Sequence, residues 1–126
     1  MYEKAKAHLK RHGLDGRAMA FDASSSTVEL AALAVGCPPA QIAKTLSFKV
    51  DGRPVLLVTS GDTRVDNRKF KDFFKAKAVM LSPEEARDLV GYPVGGVCPF
   101  GVNPGVRVYL DQSLRRFDTV YPACGT

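Results

Sequence analysis

The clearest candidate for chemistry in this sequence is Lys44. Apolar and polar residues alternate after it, and the apolar set is Leu46, Phe48 and Val50. Lys44 is in phase with that set, so a strand that begins at Lys44 directs its ammonium group toward the interior. An ammonium group that loses its hydration must find oxygen partners, and a carbonyl or phosphate oxygen of a ligand is a suitable one. If the strand instead begins at Thr45, Lys44 ends a helix or extends to water.

A second candidate is the segment 91–101, which reads Gly-Tyr-Pro-Val-Gly-Gly-Val-Cys-Pro-Phe-Gly. Glycines let a backbone approach a ligand closely and present N–H groups to an oxyanion. Pro93 and Pro99 restrict the loop and lower the entropy cost of holding such groups in place. The segment matches neither a phosphate-binding loop nor a dinucleotide fingerprint. The alternative interpretation is an ordinary connection between a helix and a strand.

A third group of polar residues, at positions 59–62, follows a very apolar segment and reads Thr-Ser-Gly-Asp. Small polar groups at the end of a strand commonly rim a pocket. They equally often begin the next turn, and the sequence alone favours the turn.

The histidines and cysteines do not form the pattern of a metal site or a nucleophile. His8 and His12 are spaced as i and i+4, but no nearby cysteine or carboxylate cluster completes a metal site. Cys37, Cys98 and Cys124 lack the paired spacing of metal and disulfide frameworks. Both histidines lie in one N-terminal segment, so no cysteine has a convincing histidine partner. We therefore expect no metal and no cofactor.

Positive charge is concentrated in one part of the chain. The net charge is +5, and six of the basic residues fall within 61–77, among three acidic ones. The basic residues there are Arg64, Arg68, Lys69, Lys71, Lys75 and Lys77, and the acidic ones are Asp62, Asp66 and Asp72. A basic surface of this kind attracts polyanions, above all nucleic acid. The alternative is a solvated helix face with intrahelical ion pairs.

The composition indicates one globular domain. The chain has 126 residues, of which 45% are hydrophobic and 25% charged, and it shows no repeat, linker or low-complexity tract. The N-terminus lacks the apolar core of a signal peptide, and no apolar run approaches the ~20 residues of a membrane span. We expect a single domain over 1–126 in a soluble, cytoplasmic protein.

Hydrophobic periodicity and turn residues predict the elements that position these groups. Two alternating segments, 44–50 and 54–60, flank Asp51 and Gly52 and predict a β-hairpin. Ser26 and Glu29 form a capping-box pattern, so Ser26 is expected to cap the second helix. Helices are predicted over 2–12, 27–35, 40–43, 65–76 (burying Phe70, Phe73 and Phe74) and after the Ser-Pro-Glu-Glu box at 82–85. Further strands are predicted over 17–21, 78–81, 106–110 and 119–123, with a turn or short helix at 112–116. This order indicates an α/β fold with a mixed sheet flanked by helices.

Two motifs together resemble those of the YbaK family, also known as the prolyl-tRNA synthetase editing-domain family. One is Ile-Ala-Lys-Thr-Leu-Ser-Phe at 42–48, and the other is Gly-Gly-Val-Cys-Pro-Phe-Gly at 95–101. The apolar hairpin, the Ser-Pro-Glu-Glu helix and the Val-Tyr-Leu-Asp strand at 108–111 follow in the family's order. The resemblance spans the chain from about residue 22 to its end.

The resemblance implies a mixed, mostly antiparallel and partly curled sheet, with a pocket between the lysine strand and the glycine loop. Family members free tRNA from a wrong amino acid, often tRNA for proline that carries alanine, cysteine or another small residue. By this resemblance, Lys44 is the functional lysine, and it contacts the substrate near the ester or the terminal adenosine. The residues expected to bind substrate beside it are Thr27, Thr45, Ser60, Gly95, Gly96, Pro99, Phe100 and Gly101.

The sequence departs from the family pattern at its end. Family chains normally continue past a segment like 123–126, often into another strand and helix. Either this is a short or trimmed version of the domain, or pocket residues that the continuation contributes are missing. Acid–base roles that depend on a histidine from that continuation have no counterpart here.

Together these features predict a free-standing deacylase that hydrolyses the ester of mischarged tRNA. Its partner is aminoacyl-tRNA, and prolyl-tRNA synthetase is a further candidate. In the expected mechanism, water attacks the ester carbonyl while Lys44 and backbone N–H groups near 95–101 stabilise the oxyanion. Two alternatives stay open: a non-catalytic module of the same fold that binds tRNA or a synthetase, and a hydrolase of another small acyl or nucleotide ester.

Overall fold

The centre of the fold is an antiparallel hairpin, seen in a computed structural model that describes residues 2–18, 27–92 and 97–123. Its strands are β1 (Ile42–Val50) and β2 (Arg53–Ser60). The strands are joined by Asp51 and Gly52, whose φ angles are 51° and 76°. Positive φ at both positions is the geometry of the tight turn that an Asp-Gly pair predicts. The predicted hairpin is thus present.

Two short strands extend the hairpin into a mixed sheet. Within the described residues the sheet has four strands in the order β3-β2-β1-β4. β3 (Arg107–Leu110) runs parallel to β2, and β4 (Tyr121–Pro122) runs parallel to β1. The pairing is antiparallel within the hairpin and parallel at both outer strands. This is the mixed sheet that the sequence indicated.

The segment 78–81, predicted as a strand, does not form one and instead makes a few backbone contacts with β1. The amide of Lys49 donates to the carbonyl of Val79 at 2.8 Å, and the amide of Leu81 donates to the carbonyl of Ser47 at 3.2 Å. Only an isolated antiparallel bridge joins Phe48 to this segment. The segment still covers the outer edge of β1 at the end away from β4.

The helices surround this sheet close to where the sequence predicted them. The longer ones are α1 (Tyr2–Arg11), α2 (Val28–Val35) and α3 (Asn67–Phe74). A short α4 (Pro83–Glu85) begins at the predicted capping box of Ser82 and continues as a π-helical turn, Ala86–Val90. Short 3₁₀ turns lie at Asp15–Arg17, Pro39–Gln41 and Gln112–Arg116. No helix of the described residues has the length and apolarity needed to cross a membrane.

The cap of α2 differs from the prediction. Thr27 is the N-cap, and its Oγ1 accepts a hydrogen bond of 3.1 Å from the amide of Leu30. Thr27 has an extended backbone (φ −118°, ψ 161°), so it lies just outside the helix with its hydroxyl over the first turn. The prediction that Ser26 caps the helix is therefore wrong, and Ser26 itself lies outside the described residues.

The start of β1 also differs from the prediction. A helix was expected over 40–43, but the chain makes only one 3₁₀ turn, Pro39–Gln41, before β1 begins at Ile42. Pro38 has an extended backbone, and Ile42 already pairs with Tyr121 of β4, which leaves no room for a helix. Lys44 is consequently the third residue of the strand, so the alternative start at Thr45 is excluded.

Two more expectations meet a partial outcome. A strand was predicted over 17–21, but Arg17 belongs to the 3₁₀ turn Asp15–Arg17. Residues 19–21 lie outside the described ones. Phe70 is buried and Phe74 is partly buried, as predicted, but Phe73 is 67% exposed. Phe73 lies at the margin of α3, where it meets the edge of the Tyr109 ring at 5.7 Å.

The two faces of the sheet carry separate apolar cores. On one face, Phe48 and Val55 pack with Phe70 of α3. On the other face, Leu56 packs with a cluster from α1, the segment 78–81, the π-helical turn and the glycine loop: Ala5, Leu81, Ala86, Val90, Tyr92 and Cys98. Because these cores lie on opposite faces, the sheet separates the side chains that project toward α3 from those that project toward α1 and the glycine loop.

Candidate active site

Lys44 lies on the sheet face that α3 covers. It pairs with Thr59 of β2, just as Phe48 pairs with Val55. Directly paired residues share a face and alternate residues of a strand do too, so the predicted phase of Lys44 with Leu46 and Phe48 is confirmed. The Lys44 side chain is partly buried, and it makes no ion pair or hydrogen bond within the described part of the chain. A partly desolvated amine of this kind is available to an oxygen of a ligand.

Thr45 projects to the opposite face. Its cross-strand partner is Val58, and its Oγ1 is buried without a hydrogen-bond partner. A buried hydroxyl left unpaired costs roughly 1–3 kcal/mol of stability. Lys44 and Thr45 are adjacent in sequence, but their side chains lie on opposite faces of the sheet.

The described part of the glycine loop lies on the Thr45 face. Cys98 belongs to the same core cluster as Leu56, which pairs with Ser47. Pro99, Phe100 and Gly101 follow directly along the chain, and Phe100 packs against that cluster. The sheet thus separates this part of the loop from Lys44. Residues 93–96, which include the predicted Gly95 and Gly96, lie outside the described residues.

Hydrogen bonds and close packing hold the loop in place. The carbonyl of Phe100 accepts a bond of 2.5 Å from the buried hydroxyl of Tyr92. Gly101 has φ 64°, and a Cβ at that position would lie 2.7 Å from the carbonyl oxygen of Lys4 in α1. Burial raises the pKa of the Cys98 thiol, which keeps the thiol protonated and unsuited to attack. The described residues 97–101 are therefore held against α1 and the core on this face.

At the end of β2, Ser60 has no surface exposed to solvent. Its Oγ lies 2.7 Å from a carboxylate oxygen of Asp62 and 2.7 Å from the hydroxyl of Thr63. It also accepts a bond of 2.5 Å from Arg116. With these partners, the Ser60 hydroxyl ties the end of the strand to the following turn, and none of its surface is open to a substrate in this structure.

Arg116 lies beside Ser60 and Asp62, a contact that the sequence did not predict. It donates to both carboxylate oxygens of Asp62, at 2.6 and 3.2 Å. This pairing holds the pKa of Asp62 well below its usual range and raises that of Arg116. Two charges 54 positions apart leave no spacing pattern in a sequence, so nothing local could have indicated the contact.

Gly61 brings α2 against the same end of the hairpin. A Cβ at Gly61 would lie 2.2 Å from the carbonyl oxygen of Pro39 and 2.7 Å from Cγ1 of Val28. Only a residue without a side chain lets these segments approach so closely. Thr27, adjacent to Val28, is thereby placed at the hairpin end that also carries Ser60 and Lys44. Of the predicted residues, four lie at this end of the hairpin: Thr27, Lys44, Thr45 and Ser60. Ser60 pairs with Ala43, so it lies on the Thr45 face of the sheet, opposite to Lys44.

The arrangement provides a cation and a rigid frame. Within the described residues, no group of three or more His, Cys, Asp or Glu side chains is placed to hold a metal ion. The chemistry available at Lys44 is electrostatic: the amine can bind a carbonyl, phosphate or developing oxyanion.

Comparison with known proteins decides the family. The model of the aminoacyl-tRNA editing domain matches residues 22–126. This chain belongs to the aminoacyl-tRNA editing domain family. The resemblance found from the lysine and glycine motifs is thereby confirmed.

Relatives of this editing domain occur as separate proteins and within a larger enzyme. YwhH, an uncharacterized protein of Bacillus subtilis (strain 168), is 43% identical over 125 residues, which are 98% of this chain and 80% of YwhH. A proline–tRNA ligase of Geobacillus sp. (strain WCH70) is 34% identical over 100 residues, which are 79% of this chain and 17% of the ligase. The editing domain therefore spans about a sixth of the ligases it matches.

A solved structure shares the fold of this editing domain. It is a crystal structure of a protein provisionally named a trans-editing enzyme for prolyl tRNA synthetase. The match has a TM-score of 0.90 and 32% sequence identity, and it covers 99% of this chain and 80% of the other. The α/β fold with its curled mixed sheet is thus the fold of the editing domain.

Proposed function

We propose that residues 1–126 form one free-standing editing domain that hydrolyses mischarged aminoacyl-tRNA in trans, in the cytoplasm. The proposed substrate is a small amino acid esterified to proline tRNA. The observation that carries the proposal is Lys44, a partly buried amine without a partner in the described residues. It belongs to the segment 42–48, which resembles the lysine motif of the family. The similarity to prolyl-tRNA synthetases supports the choice of tRNA.

The proposed reaction is the hydrolysis of an ester that is already activated. The oxygen of a water molecule bonds to the ester carbonyl carbon, and the bond from that carbon to the ribose oxygen breaks. The amino acid leaves with the water oxygen, and the ribose oxygen takes up a proton to become a hydroxyl. The vicinal ribose hydroxyl of the substrate orients the water, so no protein nucleophile is required.

Lys44 has the electrostatic role in this reaction. Its ammonium group stabilises the negative charge that develops on the carbonyl oxygen, a contribution of about 3 kcal/mol for one well-placed donor. The contribution of backbone N–H groups at Gly95 and Gly96 stays a prediction, because these residues lie outside the described ones. Pro99, Phe100 and Gly101 lie across the sheet from Lys44, so we assign them to the support of the fold.

Selectivity in such a site comes from the size of the pocket. One methylene group is worth only about 1–3 kcal/mol in an apolar pocket. We therefore expect several small amino acids to be accepted rather than one.

The test is a deacylation assay on a panel of mischarged tRNAs, with the wild type, Lys44→Ala and Lys49→Ala. Lys49 is a matched control, since it lies in the same strand but on the opposite face, paired with Glu85 of α4. We expect Lys44→Ala to lower kcat/KM by roughly 10²–10³-fold and Lys49→Ala to leave it nearly unchanged. Full activity of Lys44→Ala would remove Lys44 from the mechanism.

The same panel separates the alternative functions. Tight binding of every charged tRNA without hydrolysis would favour a non-catalytic module that holds tRNA or a synthetase. Hydrolysis of free small esters that is insensitive to added tRNA would favour a different hydrolase.

A further inference from the structure

A basic groove runs along α3. It has a volume of about 400 Å³ and is lined by Asn67, Arg68, Lys71, Lys77 and Ala78. Three of the five lining residues are cations and none is a carboxylate. A second cavity of about 390 Å³, near the hairpin turn, also contains basic residues, but Asp51 lines it and offsets part of their charge. The groove on α3 is therefore the stronger attractor of anions.

The cations of the groove are held in no close ion pair by the described part of the chain. Within the described residues, Arg68, Lys71 and Lys77 form no ion pair. Of the nearby carboxylates, Asp62 is held by Arg116. Asp66 caps α3 and accepts the amides of residues 68 and 69 at 3.0 Å each. Arg68 and Lys71 are exposed, as in the solvated helix face that the charge pattern left open, but no ion pair is present among the residues of α3.

The groove opens on the same side of the sheet as Lys44. Phe70 of α3 packs against Phe48 with ring centroids 4.8 Å apart, and Ala78 of the groove contacts the same core. Lys44 precedes Phe48 by four residues on that face, a distance of about 13 Å along a strand. A polyanion that reaches Lys44 with one end can therefore lie along α3.

We propose that this groove binds the phosphodiester backbone of the tRNA acceptor arm while the 3′ end reaches Lys44. The inference rests on the proposed function and assigns it a second contact surface. Arg68 offers a planar fork that can bond two phosphate oxygens, and the two lysines supply point charges. Contacts of this type fix position without reading sequence, so the groove acts on affinity and not on the choice of amino acid.

The test compares two triple variants that lose the same charge. The groove variant is Arg68→Gln, Lys71→Gln and Lys77→Gln. The control variant, Arg64→Gln, Lys69→Gln and Lys75→Asn, removes one arginine and two lysines from the same segment outside the groove. Asparagine is used at position 75 because Lys75 has φ 58°, a conformation that asparagine tolerates.

Three measurements decide the outcome. The first is the Kd for uncharged tRNA across a range of salt concentrations. The second is the hydrolysis of mischarged tRNA, and the third is the hydrolysis of an aminoacyl ester of adenosine, which lacks the acceptor arm. We expect the groove variant to weaken tRNA binding by roughly 10–100-fold and to reduce the slope of log K against log salt by roughly 2–3. Its KM for tRNA rises while kcat and adenosine-ester hydrolysis are retained, and the control variant changes little.

Other results overturn the inference. Equal weakening in both triple variants would show a general effect of charge, and unchanged tRNA binding in the groove variant would show no contact at all. If the wild type hydrolyses neither substrate, the proposed function fails. The binding measurement still decides the groove in that case, since it uses uncharged tRNA.

Discussion

Arg116 holds both carboxylate oxygens of Asp62, and the same guanidinium bonds to the buried hydroxyl of Ser60. The contact joins the turn Gln112–Arg116 to the end of β2. It also fixes the end of the hairpin at which Lys44 lies, because Lys44 and Thr59 are paired beside Ser60. The ion pair therefore stabilises the part of the sheet that carries the candidate amine.

Asp62→Asn is predicted to destabilise the protein in a pH-dependent way. The pairing with Arg116 lowers the pKa of Asp62 below its ordinary value of 3.8. A lowered pKa in the folded state means that the stabilisation is complete above the unfolded value and is lost as pH falls below it. We expect a lower urea midpoint for the variant at pH 7 and a difference that narrows below about pH 4. A difference that is the same at pH 7 and pH 3 would contradict the ion-pair explanation.

Thr27→Ala is predicted to lower the free energy of unfolding by about 1 kcal/mol. The variant loses the hydroxyl that accepts the Leu30 amide at the start of α2. Thr27→Ser keeps an equivalent oxygen and serves as the control, with stability close to the wild type. Urea unfolding followed by circular dichroism measures both. If Thr27→Ala is as stable as Thr27→Ser, the cap makes no contribution.

Tyr92→Phe is predicted to loosen the glycine loop. The variant removes the donor of the 2.5 Å bond to the Phe100 carbonyl from a fully buried position. That carbonyl keeps a weaker contact of 3.5 Å from Sγ of Cys98, so we expect a loss of about 1 kcal/mol. Hydrogen exchange at the amides of Val97, Cys98, Phe100 and Gly101 should become faster than in the wild type. Tyr109→Phe is a suitable control, since Tyr109 packs on the other core. Unchanged exchange in Tyr92→Phe would show that the packing alone holds the loop.

Gly61→Ala is predicted to displace α2 from the hairpin. An added Cβ would overlap the carbonyl oxygen of Pro39, and backbone atoms relieve such overlap only by moving, at a cost of about 1–3 kcal/mol. Gly16→Ala is the control, since a Cβ at Gly16 meets nothing within 4 Å. Thermal unfolding should separate the two variants. Equal melting temperatures would show that the approach at Gly61 is not tight in solution.

The features that the sequence predicted correctly are those set by residues close together in the chain. Alternation from Lys44 onward gave the strand and the face of its amine, and the Asp-Gly pair gave the turn. The Ser82 capping box was also confirmed. Each of these features is set by residues within a few positions of one another, so the local pattern contains the information.

Contacts between distant segments could not be predicted in this way. The parallel pairing of β3 with β2 and of β4 with β1 leaves no local signal, and neither does the Arg116 contact. The cap at Thr27 was missed because Ser26 and Thr27 have equivalent hydroxyls, and only the backbone angles decide between them. The separation of Phe100 from Lys44 by the sheet likewise depends on how α1 and the loop pack against Leu56.

The length of the hairpin turn determines on which side of the sheet the amine lies. Lys44 and Thr45 are neighbours on opposite faces, and their register is fixed by the two-residue turn at Asp51 and Gly52. A shift of one residue in a strand pair moves every side chain to the other face. An insertion or deletion of one residue between Thr45 and the turn would therefore put the threonine on the face where the lysine lies, whereas the turn itself accepts residues that tolerate positive φ, such as asparagine and glycine.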